Sequence, residues 1–571
     1  MRLRTRRRLS ASVALALALG IAGGSALPAL AATGTGTADR PYYSSKTPYA
    51  SRGTAADLAP APAGFAPVYT ESVARHGSRA LSSFKYDSLT TQVWEQARSE
   101  GALTSLGETL GPEVAKLTAA NRELGYGNLT GQGADQHRGI GARVVERLPS
   151  LFAGIDAGSD TVALESSGEA RATASGKAFA EGLRTADPLL AAHLPEDIQK
   201  DPATLYFHKS DANADYQAYE DGPAVTAAVD AITDQPRSHE AARHLLERLY
   251  APAFVDRLAA GAYRFVDGGD GKTTVDDEVD AAMMLYNLYI IAPDMTEEVQ
   301  VDFDRYLEGA DAEWFAYLLD AEDFYSKGPA FQGSDITYRM ATPLLDDFLD
   351  SMDARLAGSS TAATFRFAHA ETIIPFAALL GLPGSTQQVT PEQPYSYATN
   401  DWRGETVTPM AANVQWDVYR DASGRAIVRM LDDERAIPFR AGCTPIAAGL
   451  AVLRRGRGAP LPHGGRRGGS RHDLARGVRP RRAPGLARRA GRRRRLRGPG
   501  RHPRGDGHVG RRAAVPRGPR VRARRGGDHR GRRGAAAAAR LTRVRRSERP
   551  APPSRRGSRP SPGSSSRAAR A

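Results

Sequence analysis

Cysteine is nearly absent from this chain of 571 residues: Cys443 is the only one, which excludes a disulfide within the chain. The lone thiol fits a tolerated free cysteine or one whose partner has been lost, and the residues leave both open. The apolar run at 11–22 is short of the roughly 20 residues that a membrane span needs. No His/Cys cluster has metal-ligand spacing, so no metal and no cofactor are expected. Internal repeats are absent. The segment 446–571 contains no Phe, Tyr, Trp, Met, Asn, Gln, Lys or Cys, and no Ile beyond Ile446. Such a segment cannot bury enough apolar area to offset its chain entropy and is expected to be disordered.

That tail carries 39 Arg against 4 acidic residues, a net +35, which leaves 39 basic and 60 acidic residues, −21, for 1–445. The overall +14 therefore averages an acidic body and a very basic tail. A polybasic tail fits contact with nucleic acid or an anionic surface. It also fits an out-of-frame reading of a GC-rich gene, since Arg, Gly, Ala and Pro come from codons made mostly of G and C. The abrupt start favours the second account, and no specific nucleic-acid partner is expected. The Arg-Gly-Gly triplets at Arg467 and Arg525 arise by chance at this composition. At the other end, Arg2, Arg4 and Arg6 to Arg8 precede the apolar run, and Ala29-Leu30-Ala31 follows it. This is the pattern of a cleaved signal peptide over 1–31, so a secreted protein with no stable membrane anchor is expected. Thr5-Arg6-Arg7 also permits the twin-arginine route. Residues 32–63, rich in Gly, Thr, Ser and Pro, read as a flexible lead-in.

The foldable body spans 64–445. Strands are predicted at 66–74, 161–164, 364–368, 412–419 and 426–431, the last two flanking a turn at 421–424. Helices are predicted at 135–148, with Ile140, Val144 and Leu148 on one face, and at 372–380, stopped by Gly381 and Pro383. Ser166 to Glu169 fits a capping box opening another helix, with Ala172, Phe179 and Leu183 on one stripe. From 187 to 333 the pattern is mostly helical, broken at 267–272, and reads as an inserted subdomain. The alternation predicts an α/β fold with a central mixed sheet flanked by helices.

Three elements carry chemistry. Arg75-His76-Gly77-Ser78-Arg79 directly follows the first strand, where ligands of α/β sheets bind. Two guanidinium forks suit the charge of a phosphoryl group in transfer, Gly77 permits close backbone approach, and a neutral imidazole is a competent nucleophile at phosphorus. Alone, the pentapeptide also fits a surface Arg/His turn. His369-Ala370-Glu371 again follows a strand, pairing a hydrogen-bonding or cationic His with a carboxyl able to protonate a leaving alkoxide and then activate water. Arg171 falls in a first helical turn, where anions are favoured.

In this order, the three elements resemble the histidine acid phosphatases, branch 2 of the histidine phosphatase superfamily. The segment from Glu165 through Arg171 to Ser175, with Ala178-Phe179-Ala180 and Gly182-Leu183, is similar to the stretch holding that family's later active-site Arg. His-Ala-Glu, where most members have His-Asp, marks the multiple inositol polyphosphate phosphatases. Leu129-Thr130, Gly133, Gln136-His137-Arg138, Leu205-Tyr206-Phe207, Tyr216 and Tyr219 look like the same group. The resemblance implies a phosphoglycerate mutase-like fold and metal-free action on phosphate monoesters such as phytate; a monomer is expected. It implies His76 as nucleophile, Glu371 as proton donor, and Arg75, Arg79, Arg171 and His369 as phosphoryl ligands. Lys209 and Lys327 are expected as further phosphate contacts. The same residues would serve a broad-specificity acid phosphatase or a bisphosphoglycerate phosphatase. A reading of another class is an inactive phosphatase-like body that binds polyanions through its tail. Two departures stand out: Leu81 replaces the family's usual Pro, implying a looser loop, and the resemblance ends near 445, where the composition breaks.

Overall fold

Val68, Thr70 and Val73 are β-branched, and the second half of their segment is buried throughout, which suits a central strand. In this computed structural model, which describes residues 41–439 and the backbone of 452–454, the segment is strand β1, Phe65–Arg75. The expected signal peptide, Cys443 and the rest of the tail lie outside the described residues. In chain order follow β2 (Thr161–Ser166), β3 (Gln199–Lys200), β4 (Phe265–Val266), β5 (Thr274–Val275), β6 (Thr361–Ala368), β7 (Asn413–Asp421), β8 (Ala426–Asp432), β9 (Arg435–Ile437) and β10 (Val452–Arg454). The main sheet runs β10-β8-β7-β1-β6-β2-β3, with β9 also on β8. The strands β1, β6, β2 and β3 are parallel, while β7, β8, β9 and β10 are antiparallel to their neighbours. The fold is therefore the mixed α/β sheet that the alternation predicts.

Helices cover both faces. On one side lie Gly131–Arg147, Pro149–Asp156 and Ala170–Ala186, with Ile140, Val144, Phe179 and Leu183 packed on Val162, Leu164, Phe365 and Phe367. Gly141 and Gly182 let the first and third of these helices approach so closely that an added Cβ would lie 2.4 Å from the Phe179 carbonyl or 2.1 Å from that of Arg138. On the other side, Tyr69, Val73, Val414 and Trp416 join Phe348, Ile373, Ile374, Met284 and Leu245 in one larger core.

Four expectations need correction and one is refined. The helical body is wider than 187–333, because Lys85–Ser99 and Ser105–Leu124 pack Leu89, Val93, Leu110 and Leu117 into the same core. The break expected at 267–272 is present, as the turn of the β4–β5 hairpin. No capping box forms at Ser166: Gly168 turns the chain at φ +90°, the helix begins at Ala170, and Glu169 is its N-cap with no side-chain cap. The lead-in, from 41 on, is folded onto the body. There Ser44 Oγ donates to buried Asp320 at 2.5 Å, and the Ser45 carbonyl accepts from Arg75. The segment also packs Tyr42 and Tyr43 on the larger core and Tyr49 on the smaller one, but these rings are too scattered among Gly, Thr, Ser and Pro to show a periodic pattern. Strand β10 also departs from the expected disorder, since Val452–Arg454 pairs antiparallel with β8.

Strand β6 alternates as its sequence predicts. Phe365 meets Phe179 with ring centroids 4.6 Å apart. Arg366, on the opposite face, is fully buried, 3.0 Å from Glu71 and 2.7 Å from Asp347. Arg366→Met should destabilise the fold by about 3 kcal/mol, because it leaves Glu71 buried without its cation. The cost stays at the low end because burial, only partly offset by Arg366, already pushes Glu71 up to about 8, so it can take a proton. A urea-unfolding midpoint checks this.

Candidate active site

Three neighbouring parallel strands end together. His76 directly follows β1, His369 follows β6, and the loop of Ser167, Gly168 and Glu169 follows β2 and leads into the helix that carries Arg171. The pairing of β1 with β6 and of β6 with β2 brings together motifs nearly 300 residues apart, at the carboxyl edge of the sheet. The imidazoles of His76 and His369 meet edge to face with centroids 5.5 Å apart.

The loop after β1 is braced from every side. The His76 amide donates to the Ala368 carbonyl at 2.9 Å. The Gly77 amide donates to Ser175 Oγ at 3.2 Å, and the Ser78 amide to Gln136 Oε1 at 2.9 Å. Gln136 Nε2 donates to Ser78 Oγ at 2.7 Å, and that hydroxyl donates to buried Asp294 at 2.5 Å. His137 Nε2 lies 3.1 Å from the Arg75 carbonyl. Gln136 and His137 thus support the loop from behind. Leu81 does not loosen it: the residue is buried, and its amide, which proline would lack, donates to Asn121 Oδ1 at 2.8 Å. A Cβ on Gly77 would lie 2.4 Å from the Gly133 carbonyl oxygen, backbone against backbone. Gly77→Ala should therefore displace His76 and lower kcat/KM for a phosphomonoester about a hundredfold, a typical effect of a 1 Å misplacement. Steady-state kinetics on the folded variant test this.

Donors converge on the pocket with capacity to spare. Arg75 Nη1 binds the carbonyls of Ser45 and of Thr408, the latter at 2.5 Å, while its buried Nε has no hydrogen-bond partner. Arg171 Nη2 donates to His369 Nδ1 at 3.1 Å, and its Nε is likewise buried and unpaired. Since His369 Nδ1 accepts, its Nε2 carries the proton and donates to Ser167 Oγ at 2.7 Å. Arg79 donates to the Ala80 carbonyl at 2.7 Å. Two orphaned guanidinium nitrogens beside two histidines suit an incoming tetrahedral anion.

Two groups here escape sequence reasoning. Lys46, from the folded lead-in, is pushed down to about 7 by burial and by Arg75 and Arg79; nothing in its surroundings in sequence announces it. His208 is 3% exposed, its Nδ1 has no partner, and burial pushes it down to about 4. Its neighbour Tyr206 packs edge-on against both His208 and His369, at centroid distances of 4.5 and 5.1 Å. The only sequence signal for His208 is its place directly after Leu205-Tyr206-Phe207. The expected phosphate contact Lys327 donates to Asp323 Oδ1 at 2.6 Å and lies 3.9 Å from Glu371 Oε1. Lys209 is exposed at the end of the turn Phe207–Lys209.

Both central histidines are neutral. Burial, then the charges of Arg171, Arg75, His369 and Arg79, hold His76 well below its ordinary range. Burial and Arg171 push His369 down to about 3. Burial alone would raise Glu371, but the charge of Lys327 foremost acts against it, and the carboxyl stays well below the usual range. The empty site thus offers a neutral nucleophile, unpaired guanidinium donors and an ionised carboxylate. Among the described residues, no group of three or more His, Cys, Asp or Glu is placed to hold a metal ion.

Comparison with known proteins agrees with this chemistry. The model of the histidine phosphatase superfamily (branch 2) matches residues 70–432. Multiple inositol polyphosphate phosphatase 1 of Gallus gallus is 24% identical over 392 residues, 66% of this chain and 78% of that protein. The multiple inositol polyphosphate phosphatase of Bifidobacterium longum, in crystals with inositol hexasulfate, is 43% identical with a TM-score of 0.70, over 73% of this chain and 96% of that one. The same enzyme in complex with phosphate gives the same values. The chain belongs to branch 2 of the histidine phosphatase superfamily and is a phosphomonoester hydrolase of the histidine acid phosphatase type.

Proposed function

We propose that this branch 2 histidine phosphatase hydrolyses inositol polyphosphates such as phytate through a phosphohistidine on His76. The observation that carries the mechanism is the tautomer of His76. Its Nδ1 lies 2.9 Å from the Gly77 carbonyl, which can only accept, so Nδ1 bears the proton and Nε2 keeps its lone pair. With the ring neutral, that lone pair is available at any pH near neutrality.

Arg75, Arg79 and Arg171 bind the phosphoryl oxygens, with the unpaired nitrogens of Arg75 and Arg171 as the first donors, and His369 completes the set by turning its Nε2 proton from Ser167 to a phosphoryl oxygen. In the first step Nε2 of His76 attacks phosphorus, the P–N bond forms, and the ester P–O bond breaks. Glu371 gives its proton to the leaving alkoxide. In the second step water attacks the phosphohistidine, the Glu371 carboxylate takes the water's proton, and the P–N bond breaks to restore His76. Glu371 is ionised in the empty site, so it must gain a proton before the first step. The phosphate's own negative charge favours that uptake, because a like charge disfavours a neighbouring carboxylate.

The substrate class rests on two supports. The pocket gathers more cations than one phosphate needs, Lys46 standing beside Arg75 and Arg79, and Arg79 beside Arg171. The Bifidobacterium longum relative was crystallised with inositol hexasulfate, an inositol carrying sulfate esters. Action outside the cell is proposed from the basic and apolar N-terminal residues alone. The test is phosphate release at mildly acidic pH from phytate and from p-nitrophenyl phosphate. Phytate should be favoured at least tenfold in kcat/KM, since one extra charge-assisted hydrogen bond is worth about 1.5–3 kcal/mol. Equal values would point to a broad-specificity phosphatase.

A further inference from the structure

Lys327 stands where a phosphate contact was expected, yet its geometry fits another task. It follows the helix Gly309–Ser326, and its side chain is 16% exposed. Its ammonium donates to Asp323 Oδ1 at 2.6 Å, one helical turn back, and lies 3.9 Å from Glu371 Oε1. The lysine is thus already committed to a carboxylate and reaches Glu371 through its field rather than through a short hydrogen bond. The other groups facing Glu371 come from separate elements. They are His208 from the turn Phe207–Lys209, His369 from its own helix end, Arg75 at the end of β1, Arg79 after it, and the Tyr206 and Tyr216 hydroxyls. Lys327 is the strongest of those that stabilise the ionised carboxyl, and Asp323 acts in the opposite sense.

We propose that Lys327, anchored by Asp323, is a positioning residue that governs when Glu371 carries its proton, and is not a ligand of the substrate. The inference rests on the reading of Glu371 as proton donor. The Asp323–Lys327 pair acts as a divided charge. Asp323 takes the hydrogen bond and part of the field, and the remainder keeps Glu371 ionised while the site is empty. A bound phosphate counters that remainder, so proton uptake by Glu371 accompanies substrate binding. Two opposite changes in the pair must then move the donor in opposite directions. Without Lys327 the carboxyl holds its proton to higher pH. Without the Asp323 charge, the ammonium is free to serve Glu371 alone, and the proton is lost at lower pH.

The experiment follows kcat and KM for glycerol 2-phosphate against pH, since the descending limb of kcat reports the donor in the substrate complex. Lys327→Met should move that limb up by about one pH unit or more, the usual scale for an opposite charge within 4–6 Å. Asp323→Asn should move it down, and Glu371→Gln should lack it. A Lys327→Met enzyme with raised KM and an unmoved limb overturns the inference and makes Lys327 a phosphate ligand. Should that variant fail to fold, Asp323→Asn decides alone, an unmoved or rising limb being the contrary result. A limb that persists in Glu371→Gln overturns the donor reading itself, which separates the two failures.

Discussion

Replacing His76 by Ala is expected to lower kcat for every phosphomonoester at least about a thousandfold, with little change in the inhibition constant for inorganic phosphate. The loss is large because no other group can take over the bond to phosphorus. His369, the nearest imidazole, has Nδ1 occupied by Arg171 and its Nε2 proton committed to Ser167. Phosphate affinity persists because Arg75, Arg79 and Arg171 are held by partners other than His76. Folding should persist too, since the His76 ring makes a single hydrogen bond, to the adjacent carbonyl of Gly77. Kinetics combined with phosphate inhibition would separate this outcome from simple unfolding, which would abolish both.

The second large effect is that of Glu371→Gln. Glutamine keeps the shape but cannot deliver a proton, so kcat for an alkyl ester should fall about 10²–10⁴-fold. An aryl ester with a good leaving group, such as p-nitrophenyl phosphate, needs less help and should lose much less in the first step. The contrast between the two substrates is the diagnostic, because a merely structural role would penalise both alike. The sign with pH follows from the role. A donor must be protonated, so the parent's rate with the alkyl ester falls as pH rises through the donor's pKa in the complex, and the variant lacks that fall.

Much of this arrangement can be read from the chain, and the failures have physical causes. Strands β1, β6, β7 and β8 are visible because buried strands alternate or run apolar, as Phe365, Arg366 and Phe367 do, and the motifs are visible because they sit at strand ends. The convergence of His76, His369 and Arg171 follows from the β1-β6-β2 order, which periodicity does not supply. Lys46 stays hidden because its segment is fastened by hydroxyl and carbonyl groups and by scattered tyrosines, which leave no periodic hydrophobic pattern. The capping box fails because Ser166 Oγ and Ser167 Oγ accept from the amides of Gly168 and Glu169, two residues on, which lie ahead of the helix that begins at Ala170. Charge in the chain suggests phosphate for Lys327, and only the positions of Asp323 and Glu371 reveal its other engagement.

The central claim is that the phosphoryl group passes through Nε2 of His76. Its most direct test is rapid alkaline quenching of the full chain during turnover of ³²P-labelled substrate, followed by peptide mapping. The account predicts alkali-stable, acid-labile label on the peptide containing His76, absent from His76→Ala. Label on another residue, or turnover by His76→Ala at a rate near the parent's, would contradict it.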